Sequence, residues 1–253
     1  MATRLHIGAK ELRGDVAAYA KRFDLLEIRG LDAAQQKLAP TDATLRRWRK
    51  AVPAVFEFSV IGGPNLGKLK AGDALEAELA VLLKSVTLLE ARVIVIATAP
   101  DVSPSKLWRD RLAKLVDRLP RDASSIVWEP SGLWEVEDAA VQAKAWGIVV
   151  AVDPARDAMP AGPVAYGRLR AAGATRAFST AALTKVAATI GDRRDAYVVF
   201  ETAGALKEAK VLRALVRSAK TGKRGGLGRL VRPTSRGALG GAAIVVSDDE
   251  QEE

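Results

Sequence analysis

The chain of 253 residues contains no cysteine. Disulfides, thiolate metal sites and cysteine nucleophiles are therefore excluded, which suits a reducing compartment. A single histidine, His6, is too few for a zinc cluster, and a Ser–His–Asp triad would have to use that one residue. Aromatic residues make up only 5% of the chain against a hydrophobic fraction of 49%, so the core must be packed from Ala, Val, Leu and Ile. Long apolar runs are also missing. The longest, Ala91 to Ala99, is interrupted by Arg92 and falls far short of the roughly 20 residues that cross a bilayer. Met1 to Leu5 lacks the apolar stretch of a secretory signal. Together these absences lead to the expectation of a cytoplasmic protein with no membrane segment.

What is present is an alternation of two hydrophobic periods. Short runs rich in β-branched residues recur at Arg4–Gly8, Leu25–Arg29, Phe56–Ile61, Arg92–Thr98, Ser125–Glu129, Gly147–Asp153, Pro163–Leu169 and Ala196–Glu201. Several are continuously apolar, as parallel strands covered on both faces must be. Between them apolar residues follow helical spacing. Leu75, Leu79, Leu82 and Val86 come after Asp73, read as an N-cap, and Leu107 to Leu119 comes after Ser105. Thr180–Ile190 and Leu206–Val216 supply later helices, whereas Pro154 to Pro163 has little helical character. Eight strand–helix units joined by short connections predict right-handed crossovers and closure into a (β/α)8 TIM barrel over residues 1–217. A doubly wound open sheet is the alternative, but no glycine fingerprint follows the first strand.

The residues along this alternation carry a resemblance. His6-Ile7-Gly8 opens it, followed by Tyr19-Ala20-Lys21-Arg22-Phe23-Asp24-Leu25-Leu26-Glu27-Ile28 and Phe56-Glu57-Phe58-Ser59-Val60. Trp128-Glu129-Pro130, Trp134, Tyr166-Gly167-Arg168-Leu169 and Ala196-Tyr197-Val198-Val199-Phe200 continue it. From about Leu5 to Val216 the chain resembles the YecE-like TIM barrels, the domain-of-unknown-function family numbered seventy-two. The resemblance implies a barrel without a settled reaction, with a distant likeness to the endonuclease IV type of barrel. The chain also departs from the family. Ala9-Lys10-Glu11 replaces a Ser-Gly-Trp-like segment, and Arg29-Gly30-Leu31 replaces an Asn and an aromatic-bearing turn. Ile61, Arg170 and Glu201-Thr202 stand where a Lys, a His and paired Asn residues are usual. Glu27, Glu129 and Arg168 remain in register. The resemblance therefore implies a divergent member whose pocket has been rewritten or retired.

Catalytic groups of such barrels sit at the C-terminal strand ends. Those ends carry Glu27, Arg29, Glu129, Asp153, Arg168, Arg170 and Glu201, and the alternation of strand side chains places Tyr166, Arg168 and Arg170 on one face. Two readings follow. Arg29, Tyr166, Arg168, Arg170 and Glu201 could bind an anionic substrate, with Glu27 or Glu129 as general base. Alternatively, these charges neutralise one another in a barrel that catalyses nothing, since buried ion pairs are weak evidence of activity. No cofactor and no metal site is expected, although Mg²⁺ on Glu27, Glu129, Asp153 or Glu201 would be chemically admissible.

Three further segments invite functional readings. Gly62-Gly63-Pro64-Asn65-Leu66-Gly67-Lys68 matches G-x-x-x-x-G-K, yet Leu69 stands where a P-loop needs Ser or Thr, and Pro64 removes an N–H from the cradle. It reads instead as a mouth loop in which Lys68 and Lys70 could meet an anion. Arg46, Arg47, Arg49 and Lys50 around Trp48 form a basic cluster, either a nucleic-acid surface or a helix with Leu45 and Trp48 turned inward. From Ser218 the chain becomes Gly/Arg-rich, then carries Ala242–Val246 and closes with Asp248, Asp249, Glu250, Glu252 and Glu253. Residues 218–253 are expected to be a flexible tail, too poor in large apolar groups to offset the entropy of ordering. With a net charge of +9, the expected functions are, first, a binding or scaffold barrel whose tail docks a protein partner; second, an enzyme on a phosphate-bearing or other anionic substrate; third, a nucleic-acid binder.

Overall fold

The computed structural model describes residues 3–10, 12, 14–28, 40–171, 177–190 and 193–225. Its strands are β1 (Arg4–Ala9), β2 (Leu25–Ile28), β3 (Glu57–Ile61), β4 (Val93–Ala97), β5 (Ser125–Glu129), β6 (Val149–Val152), β7 (Val164–Leu169) and β8 (Asp195–Phe200). The helices between and after them are α1 (Val16–Ala20), α2 (Asp42–Ala51), α3 (Pro64–Lys68), α4 (Asp73–Leu89), α5 (Lys106–Val116), α6 (Val136–Trp146), α7 (Thr180–Ile190) and α8 (Ala205–Gly225). All strand pairings are parallel, in the order β1-β8-β7-β6-β5-β4-β3-β2. The expected (β/α)8 barrel is what the chain forms.

The alternation of strand side chains divides the core in two. Leu25, Val93, Val95, Val127, Tyr166, Tyr197 and Val199 fill the inside of the barrel. Ile94, Ile96, Ile126, Trp128, Val150, Val198 and Phe200 face outward and meet the apolar stripes of the helices. Trp128 is wholly buried in this outer layer, donates its indole N–H to the Thr98 hydroxyl at 3.1 Å, and meets Trp134 edge to face at 4.7 Å.

The barrel closes between β1 and β2 largely through side chains. Asp24 donates its N–H to the Ile7 carbonyl at 3.1 Å, and its carboxylate accepts the Ile7 N–H. The Tyr19 hydroxyl accepts from the Ala9 N–H at 2.8 Å and donates to the Leu25 carbonyl at 2.9 Å. Arg213 of α8 reaches the Asp24 carboxylate at 3.1 Å. Gly8 is required at this seam, because a Cβ there would sit 2.5 Å from the Leu25 carbonyl oxygen. Burial raises the Tyr19 pKa, so the hydroxyl stays a neutral donor. Tyr19→Phe removes both bonds and leaves a buried carbonyl short of a donor. It is expected to lower unfolding free energy by about 1–3 kcal/mol in urea titrations; a loss below about 0.5 kcal/mol, the ordinary surface effect, would show that the strands close without it.

Several local expectations need adjustment. The N-cap of α4 is Gly72, with Asp73 as the first helical residue, while Ser105 does occupy the N-cap of α5. No helix forms between β6 and β7, where all the residues are described, as the composition of Pro154–Pro163 suggested. The last helix runs to Gly225, well past Val216, so the first residues of the segment assigned to the tail continue α8. Residues 226–253 lie outside the described residues. Among the described residues no helix is long and apolar enough to cross a membrane.

Candidate functional site

The C-terminal strand ends bring together charged groups separated by most of the chain's length. Arg168 projects from β7 into the barrel mouth and is 1% exposed. Its guanidinium grips Glu27 of β2 in a fork, with Nη1 at 2.8 Å and Nη2 at 2.6 Å from the two carboxylate oxygens. Nε donates to Glu129 of β5 at 2.8 Å, and Nη1 donates again to Glu201, just beyond β8, at 3.1 Å. Four of the five guanidinium N–H bonds thus point at the chain's own carboxylates. Burial works against this charge, and the adjoining Glu27 carboxylate outweighs it, so the Arg168 pKa lies above its ordinary value.

The network continues on both sides. Beneath it, the Tyr166 hydroxyl donates to Glu27 and lies 3.2 Å from the Ser59 hydroxyl of β3. Burial and the Glu27 charge push the Tyr166 pKa well up, which keeps it a neutral phenol. Above it, Arg170 bonds Glu129 and lies 3.4 Å from Glu201, while Lys10 lies 3.5 Å from Glu201. Three carboxylates and three cations close the mouth with no net charge between them.

The expected site residues therefore converge, but in unequal roles. Glu27, Glu129, Tyr166, Arg168, Arg170 and Glu201 form one hydrogen-bonded cluster. Only Arg170 among them has a side chain half exposed, while Tyr166 is wholly buried. Arg29 lies outside the described residues. Asp153 meets the cluster only through backbone: it accepts the Ala155 N–H at 3.0 Å and the backbone N–H of Arg170, and lies 3.7 Å from Arg156; burial raises its pKa. His6 sits toward the opposite end of the barrel, stacked on Tyr197 at 4.9 Å, and burial lowers its pKa. Among the described residues no group of three or more His, Asp or Glu is placed to hold a metal; the mouth carboxylates gather around guanidinium instead. Lys10 and Ser59 were not anticipated, and the alternation of strand side chains could have found Ser59, two residues before Ile61.

The segment that resembles a P-loop is a short helix, α3, whose anion comes from within the protein. Glu78 of α4, wholly buried, accepts the backbone N–H groups of Asn65 at 2.8 Å and Leu66 at 2.9 Å, and the Asn65 side-chain amide at 2.7 Å. A Cβ on Gly63 would overlap the Glu78 carboxylate, and one on Gly67 would overlap the Ala97 carbonyl. Both glycines are explained by close packing. Lys68 is exposed, and Lys70 lies 3.9 Å from Asp101. On α2, Leu45 is buried and Trp48 packs against the core. Arg49 donates to the Pro53 and Phe56 carbonyls, leaving Arg46, Arg47 and Lys50 exposed.

A cavity of about 660 Å³ lies beside the network, between the ends of β1 and β8 and the starts of α1 and α8. Lys10, Asp15, Arg22, Glu201 and Thr202 contribute its polar groups and Tyr19, Phe23 and Leu206 its apolar ones.

No family model matches the sequence, and no curated protein matches it. Solved structures do match. A DUF72 family protein of Enterococcus faecalis V583 superposes with a TM-score of 0.68 at 14% identity, covering 85% of this chain and 98% of that one. A DUF72 family protein of Thermotoga maritima MSB8 gives 0.63 at 13% identity, covering 85% and 99%. A xylose isomerase domain containing protein of Salmonella typhimurium LT2 gives 0.52 at 14% identity, covering 81% and 92%. At these identities the likeness is one of fold: the chain folds as the DUF72 barrels do, over nearly their whole length.

Proposed function

We propose that this chain is a divergent DUF72-type barrel retired from catalysis, acting as a binding or scaffold protein that docks partners through residues 226–253. The observation that supports this is the state of Arg168. An arginine that recognises an anionic substrate needs a free N–H fork and an approach from solvent. Here the fork is closed on Glu27, two further donors face Glu129 and Glu201, and the group is buried. A substrate would have to displace carboxylates that cannot leave the barrel, leaving buried charge without its partner at a cost of several kcal/mol per ion.

The second reading, an enzyme on a phosphate-bearing or other anionic substrate, is favoured by Arg170, which is half exposed beside the cavity that Lys10 and Glu201 border. One experiment separates the two. The protein is melted with inorganic phosphate, with sugar phosphates and with small carboxylates, each against a salt-matched control. A ligand that binds only the folded chain at a hundred times its Kd stabilises it by about 2.7 kcal/mol. The retired barrel shows no stabilisation beyond the control. Saturable stabilisation that disappears in Arg170→Ala would replace this reading with the enzymatic one. Nucleic-acid binding remains a third proposal, resting on the exposed Arg46, Arg47 and Lys50; it requires affinity that falls steeply with salt.

A further inference from the structure

The ring of helices has one gap, and the gap has a chemical character of its own. Every other strand connection carries a helix over the outer face of the sheet, but β6 passes to β7 through residues 153–163 without one. A groove of about 480 Å³ opens there, between α6 and the segment that leads into β7. Outward-facing Ile126, Val150 and Ala165 contribute to its floor, the apolar surface that a helix between β6 and β7 would cover. Arg121, Lys144 and Arg194 stand at its rim, all exposed. None of the described residues that line it is acidic. Arg121 and Arg194 each bond one neighbouring aspartate, at 2.6 and 2.9 Å, yet 41% and 58% of their side chains remain exposed.

We infer that this groove is the seat of the chain's own residues 242–253. The segment has the complementary order: Ala242-Ala243-Ile244-Val245-Val246 for an apolar floor, then Asp248, Asp249, Glu250, Glu252 and Glu253 for a basic rim. It also starts at the correct end of the barrel. Arg213 of α8 bonds Arg22 and Asp24, which precede the N-terminal end of β2, so the last turns of α8 run on away from the mouth. The groove is at that same end, beside Ser125, Gly147, Pro163 and Arg194. Residues 226–241 connect the two, sixteen residues, enough to span about 50 Å at full extension. Tethering at that length holds the acidic segment near the groove at a millimolar effective concentration, so even weak complementarity fills it. The inference is independent of whether the mouth is catalytic. It adds to the docking role of the tail a resting position from which a partner must compete it away.

Because the chain has no cysteine, two introduced thiols can be spin-labelled without background. Full-length protein carrying Ser247→Cys and Ala161→Cys, the latter exposed at the groove, is examined by pulsed electron–electron distance measurement. One short, narrow distance is expected, lost at high salt and lost when Asp248, Asp249 and Glu250 become Asn, Asn and Gln. Those substitutions leave the barrel untouched, and an unchanged melting curve verifies that it is folded. The pair Ser247→Cys with Val55→Cys, exposed on a different part of the surface, gives no such distance. A broad distribution from the first pair, or a short distance that survives both salt and neutralisation, overturns the inference. So does a short distance between two singly labelled chains after mixing, which would make the occupant a second copy.

Discussion

Arg168→Met is expected to destabilise the protein by about 3–5 kcal/mol, the cost of removing one partner from a buried ion pair. What is left behind sets the size of the loss. The Glu27 side chain has no solvent exposure, and it loses both bonds of the guanidinium fork at once. Glu129 and Glu201 keep Arg170, and Glu201 keeps Lys10, so Glu27 is the carboxylate that loses most of its cationic contact while keeping the Tyr166 hydroxyl. A carboxyl buried without its cation can still fold as the neutral acid, so its folded-state pKa in the variant exceeds its unfolded value. The sign follows: such a group favours folding at low pH and loses that contribution as pH rises through the raised folded value. The gap between parent and Arg168→Met should therefore be widest at neutral pH and narrow on acidification, which urea titrations at stepped pH would show. Adding Glu27→Gln to Arg168→Met should recover part of the loss, because the pair rather than either member is what the interior tolerates. A loss below about 1 kcal/mol, in the range of exposed pairs, would mean that water reaches Glu27 and would remove the support for a retired mouth.

The same arrangement recurs at two other places where a barrel of this kind could hold an anion. Glu78 takes the N–H groups at the start of α3. Glu208, buried on α8, takes the Phe178 N–H at 2.7 Å and the Thr202 hydroxyl, tying the connection before α7 to the one after β8. With Glu27, Glu129 and Glu201 around Arg168, carboxylates from within the fold take the α3 amides, the Phe178 amide and four of the five Arg168 N–H bonds. An internal carboxylate pays no association entropy and cannot dissociate, so a free anion competes at a disadvantage.

How much of this was legible follows from the range of each interaction. Strand and helix alternation is local, and continuous runs such as Val93–Ala97 identify buried parallel strands without knowledge of their partners. Strand ends are fixed by the same periodicity, so Glu27, Glu129, Arg168 and Glu201 could be placed at one rim. Which of two outcomes the rim adopts depends on distances across the barrel, and spacing along the chain carries no such information. Glu78 and Glu208 escaped because acidic residues on helices usually face solvent. Their phase held a signal nonetheless: Glu78 is three residues after Leu75 and four before Leu82, and Glu208 is three after Ala205 and four before Leu212, all buried. A charge inside an apolar stripe implies an internal partner. The Tyr19 and Asp24 closure of β1 on β2 was beyond reach, since it joins side chains to backbone groups with no pattern of their own.

Glu78→Ala is expected to cost about 3 kcal/mol or more, from two backbone bonds to a charged acceptor at roughly 1.5–3 kcal/mol each. Leu66 has no solvent exposure, so its N–H cannot recover the bond from bulk water without loosening α3. Glu78→Gln retains one acceptor oxygen and should fall between parent and Ala. Gly63→Ala attacks the same contact from the other side, because its Cβ would displace the Glu78 carboxylate from the Asn65 and Leu66 amides. The three nearest atoms to that Cβ all belong to Glu78, and this makes the two substitutions coupled rather than additive. Once Glu78 is Ala, space for the Gly63 methyl opens, so Gly63→Ala should cost much less in that background than alone. Equilibrium unfolding of the four proteins measures the coupling. Additive losses would show that the glycine is required for some other reason, and that the match to G-x-x-x-x-G-K does not come from packing against an internal carboxylate.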